Sequence, residues 1–341
     1  MSLKNIAASV WIIGYLLLGS PLGAEEVSIY FKSSPPSDLL RPFAEPATLS
    51  FLATAADGKP VTQGWLDIRL DAPVPGRFFS TDFPLVEGSQ LVELRLPLSR
   101  GKAEWKYLFP IRGEYRVAVD VITTEGRQVS RTFALPVREH KTKWYLLGLF
   151  TLGLFAVGIM AGRIFTHGSS GGKKKLAVFL LLAISCFASP MALAAQESGT
   201  EGYFGWLEID PPTVGKPAHV HWRLKGEGSA EAGVALLTMT ITHLEKGKAV
   251  FAVERLRVAG EFSLKFHFPD GADYRVIAIA DLPGRQSVRA ERHVSVTAVE
   301  PPVTAMFPAV TFFLAVVAVG LGVGRWSKKP NWSKSPSDPP F

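Results

Sequence analysis

The chain has 341 residues, a net charge of +7, 47% hydrophobic residues and a mean hydropathy of +0.18. This length suggests two or three domains, and a positive mean hydropathy with only 20% charged residues points to several apolar segments. Location of the charge argues against a nucleic-acid role: residues 25–143 carry +1 and residues 196–304 carry −2, so neither segment offers a basic face.

Residues 1–24 read as a secretory signal, with Lys4 at the start, an apolar stretch from Ala7 to Leu18, and Gly23-Ala24 as a small-residue cleavage site. An uncleaved anchor helix is the alternative. Residues 25–143 are expected to form a first extracytoplasmic β-sandwich. Short alternating runs recur between Pro and Gly punctuation, among them Leu66-Ile68-Leu70, Leu91 to Leu96 and Tyr115 to Val121. Residues 144–162 form an uncharged run of 19 residues with Trp144 and Tyr145 at one end, long enough to span a bilayer.

A basic cytoplasmic loop is expected at 163–175, carrying Arg163 and Lys173 to Lys175. Residues 176–195 form a second apolar run. Its basic start, apolar middle and small residues at Ala192 and Ala194 also give it the layout of a signal peptide, so a cut near Ala195 would yield two polypeptides. It is read here as transmembrane helix 2. A second sandwich is expected at 196–304, a third span at 305–324 and a cytoplasmic tail at 325–341. Lysines and arginines then cluster on the cytoplasmic side, with both β segments on the other. Arg138, Lys141 and Lys143 dissent, being basic residues just outside the first span. The one cysteine, Cys186, lies in an apolar run, which leaves no intrachain disulfide and no cysteine-based metal site.

The chain repeats itself. Phe109-Pro110 with Tyr115-Arg116-Val117 answers Phe268-Pro269 with Tyr274-Arg275-Val276, at an offset of 159. Pro46-Ala47 answers Pro217-Ala218, and Gly158-x-x-x-Gly162-Arg163 answers Gly320-x-x-x-Gly324-Arg325. The fold class expected is therefore all-β plus transmembrane helices: two tandem immunoglobulin-like or cupredoxin-like β-sandwiches related by internal duplication, with three membrane spans after a signal peptide. Tyr115 and Tyr274 fit a structural corner in which the hydroxyl bonds to the chain upstream. Gly158, Gly162, Gly320 and Gly324 fit close helix packing, either with each other or with another subunit.

His219-x-His221 is the best chemical candidate. Alternate residues of a strand share a face, so the two imidazoles would project together from Cα atoms about 7 Å apart. Such a pair can hold copper or zinc, with His243, His267 and Met239 as further ligands in the same segment. Thr48 and Ser50 stand at the matching repeat positions, while Leu49 and Phe51 match Val220 and Trp222. That assigns the apolar pair to the core and the histidines to the outer strand face.

The layout of sandwich, two spanning helices and sandwich resembles the B subunit of particulate methane monooxygenase, whose domains are cupredoxin-like and bind copper. The strand pattern also resembles YtkA-like periplasmic copper-accessory domains. Neither likeness carries any residue over. No His-Glu-x-x-His, Cys-x-x-Cys or phosphate-loop motif occurs, so an enzyme is not expected. The function expected is a non-enzymatic accessory or scaffold subunit of a bacterial cytoplasmic membrane, bound to the bilayer and to membrane or periplasmic proteins. A copper-binding or copper-delivery module is the alternative.

Overall fold

The computed structural model describes residues 27–76, 80–165, 203–226, 234–284 and 286–327. The first half supplies β1 (Ser28–Ser34), β2 (Ala47–Thr54), β3 (Gly64–Asp71), β4 (Gln90–Pro97), β5 (Lys102–Tyr107), β6 (Gly113–Thr123), β7 (Gln128–Val137) and helix α1 (Lys141–Phe165). The second half supplies β8 (Tyr203–Ile209), β9 (Pro217–Gly226), β10 (Ala235–His243), β11 (Lys248–Val258), β12 (Glu261–His267), β13 (Asp273–Asp281), β14 (Val288–Ser295) and helix α2 (Phe307–Trp326).

Alternation in the sequence decides which face of each strand is buried. In β2, Ala47, Leu49, Phe51 and Ala53 point inward, and in β13 Tyr274, Val276, Ala278 and Ala280 do the same. The strands form two antiparallel sheets of seven, ordered β1-β2-β5-β11-β10-β13-β14 and β7-β6-β3-β4-β12-β9-β8.

Each sheet therefore runs through both halves of the chain. Two short ladders make the joints. One pairs Lys106 and Tyr107 of β5 with Ala252 and Phe251 of β11. The other pairs Val92, Glu93 and Leu94 of β4 with Phe266, Lys265 and Leu264 of β12. A single hydrophobic core fills the space between the sheets and takes side chains from both halves. Continuity has a physical cause: β4, β5, β11 and β12 are edge strands within their own halves, and pairing across the joint satisfies backbone groups that would otherwise face water.

Six aromatic rings run through this core in series. Tyr115 meets Phe109 at 4.8 Å, Phe109 meets Tyr107 at 5.2 Å, and Tyr107 meets Phe266 at 6.4 Å across the joint. Phe266 then meets Phe268 at 4.9 Å, and Phe268 meets Tyr274 at 4.8 Å. These contacts are tilted edge to face, the arrangement in which positive ring edges meet negative faces.

Two helices, α1 and α2, are long and apolar enough to cross a membrane. They begin three residues before and two residues after the predicted starts at 144 and 305. Contacts advance together along them, from Phe150 with Phe313 at 5.3 Å to Arg163 Nε with Ser327 Oγ at 3.5 Å, so the helices are parallel. Only 11% of the apolar window of each is buried, which leaves most of their hydrocarbon surface facing outward. The predicted signal (1–24), the second predicted span (176–195) and most of the tail (328–341) lie outside the described residues.

The dissenting charges beside α1 are partly neutralised by the fold. Lys143 Nζ lies 3.2 Å from Asp82 Oδ2 and 3.4 Å from Glu139 Oε1. Arg112 pairs with the same Glu139 at 3.5 Å and sits 5.5 Å over the Trp144 ring. Arg112, Glu139 and Lys143 thus tie the base of α1 to the β body.

Candidate functional site

A buried polar cluster lies at the end of β10, and it draws on both halves. β10 ends at His243, and the following turn closes through Gly247 at φ 62°, a conformation glycine adopts without strain. That turn carries Lys246 back toward Asp270, which precedes β13. Asp270 accepts hydrogen bonds from Tyr274 Oη, from Lys246 Nζ at 2.8 Å and from His243 Nε2 at 3.2 Å. His243 Nδ1 accepts the Lys246 backbone N–H at 3.3 Å, which leaves the imidazole proton on Nε2 for the carboxylate.

Burial alone would raise the Asp270 pKa. Hydrogen bonds from His243, Lys246 and Tyr274 prevail and hold it well below the usual carboxylate range. Burial, reinforced by the Asp270 charge, pushes the Tyr274 phenol far up, so this hydroxyl remains a donor.

First-half residues complete the cluster. Lys246 Nζ stands 3.8 Å over the Phe43 ring and 5.6 Å from the Phe83 ring, a cation held on aromatic faces. Lys248 Nζ donates to the carbonyls of Phe43, at 2.9 Å, and Ala44. Phe43 itself adopts φ 50°, a left-handed conformation that costs a non-glycine residue about 1–3 kcal/mol. Its backbone N–H donates to Phe109 O at 3.0 Å, and second-half lysines hold its carbonyl and ring.

His267, only 1% exposed, is a second link between the halves. Its Nε2 accepts the Gly215 N–H at 3.1 Å. Its Nδ1 lies 3.1 Å from Ser89 Oγ, whose own proton goes to Val86 O at 2.7 Å. The ring is therefore neutral, with its proton on Nδ1. Burial lowers its pKa from 6.5 to about 4.

The sequence-predicted ligands do not converge. His219 and His221 lie on the outer face of β9, while Val220 and Trp222 point into the core. Opposite them stand Lys265 and Ser263 of β12, and Glu208 of β8 faces His221. Met239 is fully buried in the other sheet, and His243 and His267 are engaged as described. The predicted set is thus divided between an outer face and three separate interior positions. Among the described residues, no group of three or more His, Cys, Asp or Glu is placed to hold a metal ion.

The outer sheet face around this pair is a neutral charge ladder. Asp67 takes a bidentate pair from Arg95 at 2.5 and 2.6 Å, and Glu93 takes Lys265 at 2.7 Å across the joint.

Tyr115 and Tyr274 occupy equivalent corners with different partners. Tyr115 Oη donates to Ile111 O at 2.7 Å and accepts from Ile111 N–H at 3.0 Å, whereas Tyr274 uses the Asp270 side chain. The helix glycines face each other: a Cβ built on Gly158 would stand 2.6 Å from Val317 O and 3.1 Å from Gly320 Cα. Gly162 and Gly324 are equally close to the opposing backbone at Leu321 and Ile159.

Sequence reasoning passed over Lys246, Asp270, Phe43, Phe83 and Ser89. A trace of the cluster was present in the repeat: Asp270 stands where the first half has Ile111, and strand register sets His243 against Ala72.

No protein-family model matches the chain, and no curated protein matches it. Among solved structures it is similar to a conjugative transposon lipoprotein from Bacteroides eggerthii, with 11% identity and a TM-score of 0.22 over 28% of this chain and 98% of that one. The Yersinia pseudotuberculosis adhesin InvE gives 9% identity and a TM-score of 0.22, over 83% of this chain and 63% of the adhesin. A red sea bream transglutaminase gives 8% and 0.21, over 84% of this chain and 33% of the enzyme. Likeness at this level carries no argument about function.

Proposed function

We propose that the chain is a membrane-anchored, non-enzymatic scaffold that presents a β body to partner proteins outside the cytoplasm. In this reading the body is a duplicated pair of immunoglobulin-like sandwiches. Residues 1–24 direct it outward, 176–195 add a third crossing, and the basic stretches hold 163–175 and 325–341 on the cytoplasmic side of the bacterial cytoplasmic membrane. One observation carries the proposal: two strand ladders, a shared core and the Ser89–His267 and Lys248–Phe43 contacts bind the halves into one body, and the buried histidines and Asp270 are engaged in internal hydrogen bonds, which leaves a body built for rigidity.

Co-purification in mild detergent after cross-linking in cells tests it. The expected result is the same few extracytoplasmic or membrane proteins in stoichiometric amounts. A chain that always runs alone at its own mass would refute the proposal.

Copper binding is the alternative, supported by the shared outward face of His219 and His221. Metal content of the purified full chain, compared with His219→Ala/His221→Ala, decides between them. Equal copper in both proteins is expected under the scaffold reading.

A further inference from the structure

The two halves are related to each other as subunits of a two-fold dimer are. Strand for strand, β1-β2-β5 corresponds to β8-β9-β12, and β7-β6-β3-β4 to β14-β13-β10-β11. Each sheet therefore joins the three strands of one half to the four of the other. The joints are equivalent as well, since β5 meets β11 where β12 meets β4.

At two separate places the same repeat position of each half meets its own counterpart. Tyr107 and Phe266, related by the offset of 159, touch in the core at 6.4 Å. Gly158 and Gly320 face each other between the helices. In an isologous interface, residues near the axis meet their own copies, and every other contact occurs twice with its members exchanged.

We infer that the chain is a two-subunit assembly written as one polypeptide, in which each half is the obligate partner of the other. A break in the connecting segment at 166–202 leaves one complex instead of two released proteins. Among the described residues the halves are joined by both ladders, Lys106 with Glu254 at 2.6 Å, Glu93 with Lys265 at 2.7 Å, and the glycine seam, and none of these contacts uses the connecting segment. Separation would bare two sheet edges on each half and expose the rings of Tyr107, Phe251 and Phe266, each now 1% exposed. An interface of this kind resembles a domain core cut in two, which is the mark of permanent assemblies.

The experiment inserts a specific protease site between Gly171 and Gly172 of the full chain, which is purified in mild detergent through a C-terminal tag and then cut. Two bands on a denaturing gel and one peak at the mass of the uncut chain on gel filtration are expected, with the tagged half retaining the other. Loss of the untagged half, with or without unfolding, overturns the inference. A second variant checks the joint directly in a Cys186→Ser background. Lys106→Cys with Ala252→Cys, opposite each other in register, should cross-link the cut halves on oxidation; failure to cross-link also overturns it. Both readouts concern only this chain's own halves, so they stand apart from any outcome of the partner search.

Discussion

Acidification is expected to loosen the β body through His267. The neutral ring accepts the Gly215 N–H on Nε2, so a proton added there would turn the acceptor into a donor facing a donor. In the unfolded chain the same imidazole takes its proton near pH 6.5, whereas in the folded chain it does so only at about 4. Between those values the unfolded state binds the extra proton, so stability falls as pH falls, by about 1.4 kcal/mol for each pH unit. Over the whole window this amounts to about 3 kcal/mol, and the loss levels off below about pH 4. The assay is urea unfolding of the full chain in detergent, followed by tryptophan fluorescence from about pH 7 to about pH 4, for wild type and His267→Gln. Glutamine can donate to Ser89 and accept from Gly215 but does not titrate. Other groups contribute equally to both proteins, so the difference between the two curves isolates His267. Parallel curves, with no steeper loss in wild type below pH 6.5, would show that the ring is not held neutral as described.

Three further outcomes follow from the same geometry. Asp270→Ala leaves the Tyr274 hydroxyl, His243 and the Lys246 ammonium without their shared acceptor and is expected to cost about 3–5 kcal/mol, read as a shift in the denaturation midpoint; a cost under about 1 kcal/mol would deny the cluster its role. Tyr115→Phe strands both the N–H and the C=O of Ile111 in the core and should cost about 1–3 kcal/mol by the same measurement, with no change in helix packing. Gly158→Ile drives a side chain into the backbone at Val317 and should part the helices. In a Cys186→Ser background with Phe150→Cys and Phe313→Cys, that variant is expected to lose the cross-link that a short bifunctional thiol reagent forms in its glycine parent, while unchanged cross-linking would contradict the seam.

Much of the architecture was legible because it rests on local pattern. Alternation at Leu66, Ile68 and Leu70, and again at Tyr274, Val276 and Ala278, announces half-buried strands whatever lies opposite them. Uncharged runs such as Trp144 to Gly162 announce apolar helices by length alone. Comparison of Val220 and Trp222 with Leu49 and Phe51 assigned the core face of β9, because a period of two leaves the histidines nowhere to point but outward.

Pairing between halves was not legible. Nothing in the residues of β5 names β11 as its neighbour: the ladder is made by backbone groups, which every sequence carries, and by edges left open in two distant segments. For the same reason the cluster around Asp270 escaped notice, since Phe43 and Lys246 are 203 residues apart and meet only when the sheets join. The sequence by itself determined the alternating strands such as β3, β4, β6 and β13, their buried faces and two apolar helices, all of which depend on neighbours within a few residues, while β1, β5, β8 and β11 were not singled out. Only the tertiary structure decided that the two halves share both sheets and one core, because that depends on which open edges come together in space.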